Sequence, residues 1–80
     1  MHTQTKTARG RITLVQEQRF RLATDHGASY LLVLAHDAPV DPADLFRFLQ
    51  NGTLVVVEYS GEPGLASGVA HTVMPSADPG

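Results

Sequence analysis

The sequence contains no cysteine. Disulfide bonds, thiolate metal sites and cysteine nucleophiles are therefore excluded. It also lacks any apolar run of membrane-spanning length, and its first residues carry no apolar stretch of the kind found in signal peptides. We therefore expect no membrane association, and a cytoplasmic location is the default expectation.

Basic and aromatic residues are scarce. Six lysines and arginines stand against eight aspartates and glutamates, which gives a net charge of −2. This balance argues against a protein devoted to coating nucleic acid, although it leaves room for a local basic face. Three phenylalanines and two tyrosines are the only aromatic residues, so few rings could stack on bases.

The length of 80 residues suffices for one small domain. Residues 1–9 and 75–80 contain few apolar side chains, so we expect a disordered tail at each end and a folded domain over residues 10–74. A domain of this size buries only roughly 60% of the surface that its unfolded chain exposes, so its stability is marginal without help.

Alternating apolar and polar residues predict two strands near the N-terminus. Ile12 and Leu14 alternate with polar neighbours, and so do Phe20 and Leu22. A period of two is typical of a strand with one buried face. The Gln-Glu-Gln sequence at 16–18 interrupts the pattern and predicts a turn or bulge between the two strands.

Three further runs predict strands. Residues 30–35 are all apolar and follow a turn signal that ends at Gly27, so they predict a strand buried on both faces. Residues 54–59 include three consecutive valines, which favour a strand. Residues 65–74 predict a last strand, with Gly68 as a bulge or bend.

A short helix is predicted between the third and fourth strands. Asp41 can cap its start, Pro42 suits the first helical position, and Asp44 favours the positive end of the helix dipole. Gly52 permits the left-handed turn that ends it. Its predicted apolar face consists of Leu45, Phe46, Phe48 and Leu49. So short a helix is unstable alone, so it must dock on the strands.

The order of three strands, a helix and two strands resembles the OB-fold, a five-stranded Greek-key β-barrel, over residues 10–74. The resemblance rests on order and spacing, and no sequence motif carries it. An SH3-like barrel and a β-sandwich fragment with an added helix remain alternatives. The resemblance implies that the helix plugs one end of the barrel, with Phe46 and Phe48 as the bulky contributors.

The resemblance also implies a ligand face on the second and third strands and on the adjoining loops. In this chain these are residues 18–24 and 29–36, the turn at 16–18 and the loop at 60–64. If Phe20 and Leu22 face inward, Arg19 and Arg21 face outward. The candidate ligand-binding residues are Arg9, Arg11, Arg19, Arg21 and Tyr30. The four guanidinium groups could follow a phosphate backbone, and the Tyr30 ring is a candidate platform for base stacking. A charged strand face that serves only solubility or edge protection is the alternative interpretation.

Two strands that are apolar on both faces suggest a protein interface. A barrel buries one face of each strand, and a single helix covers little of the other. The candidate interface residues are Leu31, Val33, Val55, Val57 and Tyr59, or the neighbours of opposite parity in the same strands. Self-association through them would stabilise so small a domain. The alternative is that an irregular barrel with long tails covers these residues itself.

Metal binding and catalysis have little support in the sequence. His36, Asp37, Asp41 and Asp44 match no metal-binding spacing, and helix capping already accounts for two of them. We therefore expect no metal site and no cofactor. No nucleophile motif, phosphate loop or carboxylate pair is present, and the serines have no recognisable base beside them. His71 is interpreted as a hydrogen-bonded histidine of the barrel.

These observations favour a non-catalytic binding or interaction module that self-associates through apolar outer strand faces. The first alternative is a single-stranded nucleic-acid binder that uses the arginine-rich strand face. The second is a barrel that binds a small ligand or a metal ion.

Overall fold

The computed structural model describes residues 5–62 and 68–76. Three strands, one helix and two further strands follow each other along the chain, as the sequence predicts. They are β1 (Lys6–Gln16), β2 (Arg19–Thr24), β3 (Ser29–Leu34), α1 (Pro42–Asn51), β4 (Leu54–Ser60) and β5 (Gly68–Pro75). The predicted turn separates β1 from β2, and Glu17 adopts a positive φ of 55° there.

The five strands form a closed barrel in the order β1-β2-β3-β5-β4, with β4 pairing back to β1. Every neighbouring pair is antiparallel except β3 and β5, which run parallel over three residue pairs. With its helix between β3 and β4, the protein therefore has the OB-like architecture that the order of elements predicts.

Both terminal strands extend into segments that the sequence assigns to tails. β1 begins at Lys6, and residues 6–9 pair with β4. β5 continues to Pro75, and the Ser76 amide donates to the Leu54 carbonyl at 2.8 Å. Backbone pairing needs no apolar side chain, which is why composition underestimates these strands. Residues 1–4 and 77–80 lie outside the described residues, as do residues 65–67 of the predicted last strand.

The core holds three residues that the sequence places at an outer interface. Val55 and Val57 are fully buried, and Tyr59 is only 6% exposed. The odd-numbered residues of β4 point into the barrel, so Val56 between them is the valine on the outer side, where it is half-buried. Three consecutive valines fit either parity, so the sequence alone does not decide which of them faces inward.

Gly10 sits where β1 lies between two partners, opposite Thr24 of β2 and Val55 of β4. A Cβ atom built on Gly10 would stand 2.0 Å from the carbonyl oxygen of Ala23. Backbone occupies the space that any side chain would need. Glycine at position 10 is therefore a steric requirement for β1 to pass this close to β2.

Two bulges interrupt the pairing. In β1, Ile12 lies opposite Leu22 and Leu14 opposite Arg21, so Thr13 is an extra residue. In β5, the partners of Glu58 and Tyr59 are Thr72 and Ala70, so His71 is extra. The bulge predicted at Gly68 is therefore found three residues later, and Gly68 itself is buried beside Leu32.

Helix α1 begins and ends at the predicted residues. Asp41 precedes it with an extended backbone, and the Asp44 carboxylate accepts a hydrogen bond from the Asp41 amide at 3.0 Å. Gly52 follows it with a positive φ of 61°, and the Thr53 amide donates to the Phe48 carbonyl. These contacts satisfy backbone groups that a helix leaves unpaired at its ends.

The helix docks through a narrower face than the sequence predicts. Leu45 is fully buried, and Phe48 and Leu49 pack around it on the core. Phe46 is 52% exposed, so its predicted role as a bulky plug residue is wrong. Residues three and four positions after Leu45 share its face, whereas Phe46 lies about 100° around the helix.

The steric role of Gly10 predicts a large loss of stability in Gly10→Ala. We expect a decrease of about 2 kcal/mol or more in the free energy of unfolding, because the new methyl group forces two paired strands apart. Urea denaturation followed by circular dichroism measures it. Thr7→Ala, at an exposed position of the same strand, serves as the control, and equal stabilities of the two variants would contradict the steric account.

The docking of α1 predicts a contrast between two neighbouring truncations. Leu45→Ala should lower the free energy of unfolding by about 3 kcal/mol, because it leaves a cavity in the core. Phe46→Ala should change it by less than about 1 kcal/mol, because half of that ring is already in water. The same denaturation experiment compares them, and a larger effect at position 46 would show that the helix docks differently.

Candidate functional site

The outer face of β2 carries two arginines side by side. Phe20 and Leu22 point into the barrel and are buried, so Arg19 and Arg21 point outward and are exposed, which confirms the predicted parity. Successive residues on one face of a strand lie about 6.6 Å apart, so the two guanidinium groups can reach the same small anion.

Cross-strand neighbours place apolar residues beside these arginines. Arg21 lies opposite Leu14 of β1 on one side and Leu31 of β3 on the other. Both leucines are partly exposed, at 37% and 39%. Arg19 in turn lies opposite Gln16 and the half-buried Val33. The face therefore combines positive charge with aliphatic surface.

A shallow groove of about 150 Å³ opens on this face. We call it the β2 groove, and the residues that line it are Leu14, Gln16, Arg19, Phe20, Arg21 and Leu31. Among these residues Phe20 is buried, the two leucines supply the aliphatic walls, and the two arginines with Gln16 supply the polar groups. A wider and more open concavity around the β1–β2 turn adjoins it and shares Gln16 and Arg19.

The groove owes its Leu14 wall to the bulge at Thr13. Before the bulge, Ala8 and Ile12 point into the barrel, and simple alternation would send Leu14 inward as well. The extra residue reverses the parity, so Val15 packs against the core and Leu14 points outward. The sequence pattern therefore misses Leu14 as a surface residue, because no residue at positions 12–14 signals the bulge.

The other predicted ligand-binding arginines are engaged elsewhere. The Nε atom of Arg9 lies 3.0 Å from Oδ2 of Asp25, in an ion pair across the end of β2. The Nε atom of Arg11 donates to the Gly52 carbonyl at the end of α1, at 3.1 Å. The four predicted arginines therefore do not act as one continuous strip.

Tyr30 does not face the arginines. It lies opposite Leu22, on the inward side of β3, and its ring centroid is 5.7 Å from that of Tyr59. Burial, followed by the neighbouring Tyr30 hydroxyl, raises the pKa of Tyr59. His26 packs edge-on against the other tyrosine ring, Tyr30, at 6.5 Å. The predicted base-stacking platform is therefore part of an aromatic cluster within the barrel.

The predicted interface residues divide between surface and core. Leu31 and Val33 lie on the outer face, whereas Val55, Val57 and Tyr59 are buried. Val33 lies opposite Val69 of β5, which is 37% exposed and continues the apolar surface. The alternation of Gly68, Val69 and Ala70 could have indicated Val69, but only with knowledge that β5 pairs with β3.

Ser60 has a base beside it, contrary to the sequence analysis. Its Oγ atom lies 2.8 Å from Nε2 of the bulged His71, which confirms the histidine as hydrogen-bonded. Nearby, Thr72 donates to the Glu58 carboxylate at 3.1 Å. Within residues 5–62 and 68–76, no carboxylate binds the His71 ring, so the group that orients the base in catalytic triads is missing there.

Within the part of the chain that the structure describes, no three His, Asp or Glu side chains are grouped closely enough to hold a metal ion. Asp44 caps α1 and pairs with Arg47. None of the helices in the described ranges is both long and apolar enough to cross a membrane.

Comparisons with protein-family models, curated proteins and solved structures give no match to this chain. The geometry of the outer face is therefore the basis for a functional interpretation.

The Arg9–Asp25 pair predicts a pH dependence. The hydrogen bond from Arg9, with smaller contributions from His26, lowers the pKa of Asp25 below its usual 3.8. A carboxyl pKa that is lowered by folding stabilises the folded state at every pH above the unfolded-state pKa. This contribution is lost as the pH falls through the lower folded-state pKa. In Arg9→Gln we expect the pKa of Asp25 to rise, measured by NMR titration of its carboxyl carbon. An unchanged titration would contradict the pairing.

Proposed function

We propose that this protein is a non-catalytic binding module whose ligand face is the outer surface of β1, β2 and β3 around the β2 groove. This surface corresponds to the ligand face of OB-folds, which the architecture resembles. The observation that carries the proposal is a pair of outward arginines without a side-chain partner among the described residues. Arg21 lies between two partly exposed leucines, and Arg19 lies beside Val33.

The distribution of charge supports an anionic partner. Arg9 and Arg47 are each paired with an aspartate, and Arg11 binds a backbone carbonyl. The side chains of Arg19 and Arg21 make no hydrogen bond or ion pair with any other described residue. The chain has eight acidic residues and a net charge of −2, yet none of the described ones pairs with these two guanidinium groups. A carboxylate or phosphate of a bound partner would accept hydrogen bonds from both guanidinium groups and neutralise their charge.

The apolar character of the face favours a protein segment over a nucleic acid. Single-stranded nucleic acid is bound by a positively charged groove combined with exposed rings on which the bases stack. The only ring at the groove is that of Phe20, which is 1% exposed, and the aliphatic walls suit a side chain rather than a base. We therefore propose a partner segment that combines acidic and aliphatic residues. Single-stranded nucleic acid is the alternative that the test must exclude.

Self-association is a second candidate, favoured by the aliphatic surface of Leu14, Leu31, Val33 and Val69. A symmetric dimer through this face would bring two pairs of arginines together, and Glu17, which lines the adjoining concavity with Arg19, offsets only part of this charge. This repulsion ranks self-association below an acidic partner. Size-exclusion chromatography with light scattering distinguishes them, because self-association requires a dimer or larger species.

The proposal predicts that a labelled peptide of alternating Asp and Leu binds the protein at low salt. In Arg19→Gln/Arg21→Gln we expect about tenfold or greater weakening, because hydrogen bonds to charged groups are worth roughly 1.5–3 kcal/mol each. Fluorescence anisotropy measures binding, and Arg47→Gln is the control for the loss of one exposed guanidinium elsewhere, on the helix.

Three outcomes would contradict this proposal. Equal weakening of peptide binding in the Arg47→Gln control would show that the effect comes from the net charge of the protein and not from the two arginines at the groove. Tighter binding of a labelled oligothymidylate than of the peptide, lost in the same double variant, would make the face a nucleic-acid interface. Absence of binding to both probes at low salt would show that this surface is not a ligand face, because contacts between opposite charges strengthen as the salt concentration falls.

A further inference from the structure

We infer that the β2 groove binds the C-terminal residue of a partner polypeptide, with an aliphatic side chain in the groove and the terminal carboxylate between Arg19 and Arg21. This inference rests on the proposed function and names the chemical group that the ligand face recognises. It follows from the volume of the groove, from the position of the charges, and from the geometry of an extended chain.

The volume limits what enters the groove. About 150 Å³ is available on the outer face that is lined by Leu14, Leu31 and the two arginines, next to buried Phe20. An apolar cavity of about 150 Å³ in another protein accommodates benzene, so a space of this size matches a single leucine, valine or isoleucine side chain. A base pair, a lipid tail or several side chains would be too large. One aliphatic group is therefore the apolar part of the ligand.

The charges limit where the anion lies. Arg21 is the direct cross-strand neighbour of both leucines, and neighbouring strands are about 4.8 Å apart. The anion and the aliphatic group of the ligand must therefore lie within about 5 Å of each other, since both contact the same short row of residues. Arg19, two residues earlier on the same face, can donate to the second oxygen of the same carboxylate.

Few chemical groups satisfy both limits. In an extended segment, successive side chains point to opposite faces, so an acidic residue next to an aliphatic one turns its carboxylate away from the groove. The next side chain on the same face is about 6.6 Å distant. A C-terminal aliphatic residue carries its carboxylate and its side chain on one Cα atom. Capture of a terminal carboxylate is an established form of peptide recognition.

The test compares forms of one labelled peptide, alternating Asp and Leu and ending in Leu. With a free C-terminus it should bind at least about tenfold more tightly than with a C-terminal amide. The charge-matched control has a free C-terminus but one internal Asp replaced by Asn, so that its net charge equals that of the amide. We expect the control to bind nearly as tightly as the parent peptide.

The apolar half of the inference has its own variant. Leu31→Gln should weaken binding of the free peptide by about fivefold or more, because it replaces one wall of the groove. Met74→Gln changes a residue of β5 that is 53% exposed and lies outside the groove, and it should leave binding unchanged. Circular dichroism melting of both variants verifies that they are folded.

The outcomes separate this inference from the proposed function. If the amide binds as tightly as the free peptide but the arginine double variant still abolishes binding, the ligand face stands and C-terminal recognition is wrong. If 4-methylpentanoate alone binds as tightly as the peptide, the ligand is a free branched-chain acid, and the inference that a polypeptide binds in the groove is wrong. If no peptide binds at low salt, both proposals fail.

Discussion

The fold depends on the pairing of β1 with two different strands at once. This strand pairs with β2 over residues 10–16 and with β4 over residues 6–11, so both neighbours meet it near Gly10. A strand can close a barrel in this way only if it bends sharply and lets another backbone approach its own. Gly10 permits the approach, because the Ala23 carbonyl occupies the place of a Cβ atom. Which of the later β1 residues face the core is decided beyond Gly10, at the bulge.

The bulge at Thr13 connects this constraint to the candidate site. A long strand that curls around a small barrel loses register with its neighbours, and one extra residue restores pairing. The restored register places Leu14 beside Arg21 on the outer surface instead of in the core. By simple alternation from Ile12, Thr13 and Val15 would face outward here instead of Leu14. The β2 groove is thus a consequence of how the barrel closes.

Local patterns predicted the local structure well. The helix bounds followed from Asp41, Pro42 and Gly52, because capping depends on residues adjacent in sequence. The outward direction of Arg19 and Arg21 followed from the alternation within one short strand. The misassigned residues, such as Leu14, Val55 and Phe46, depend on register, bulges and docking angle. Those are set by contacts between distant segments, which a single sequence does not display.

Closure of the barrel also bears on why the two arginines are there. Charged residues on an outer strand often serve to prevent pairing with another molecule. β2, however, is flanked by β1 and β3 along its length, so it has no free edge to protect. Solubility would explain charge at positions 19 and 21, but it gives no reason for exposed leucines on both sides of Arg21. A ligand that is both anionic and aliphatic accounts for the arginines and the leucines together. Its negative charge would contact the arginines, and its aliphatic part would contact the leucines.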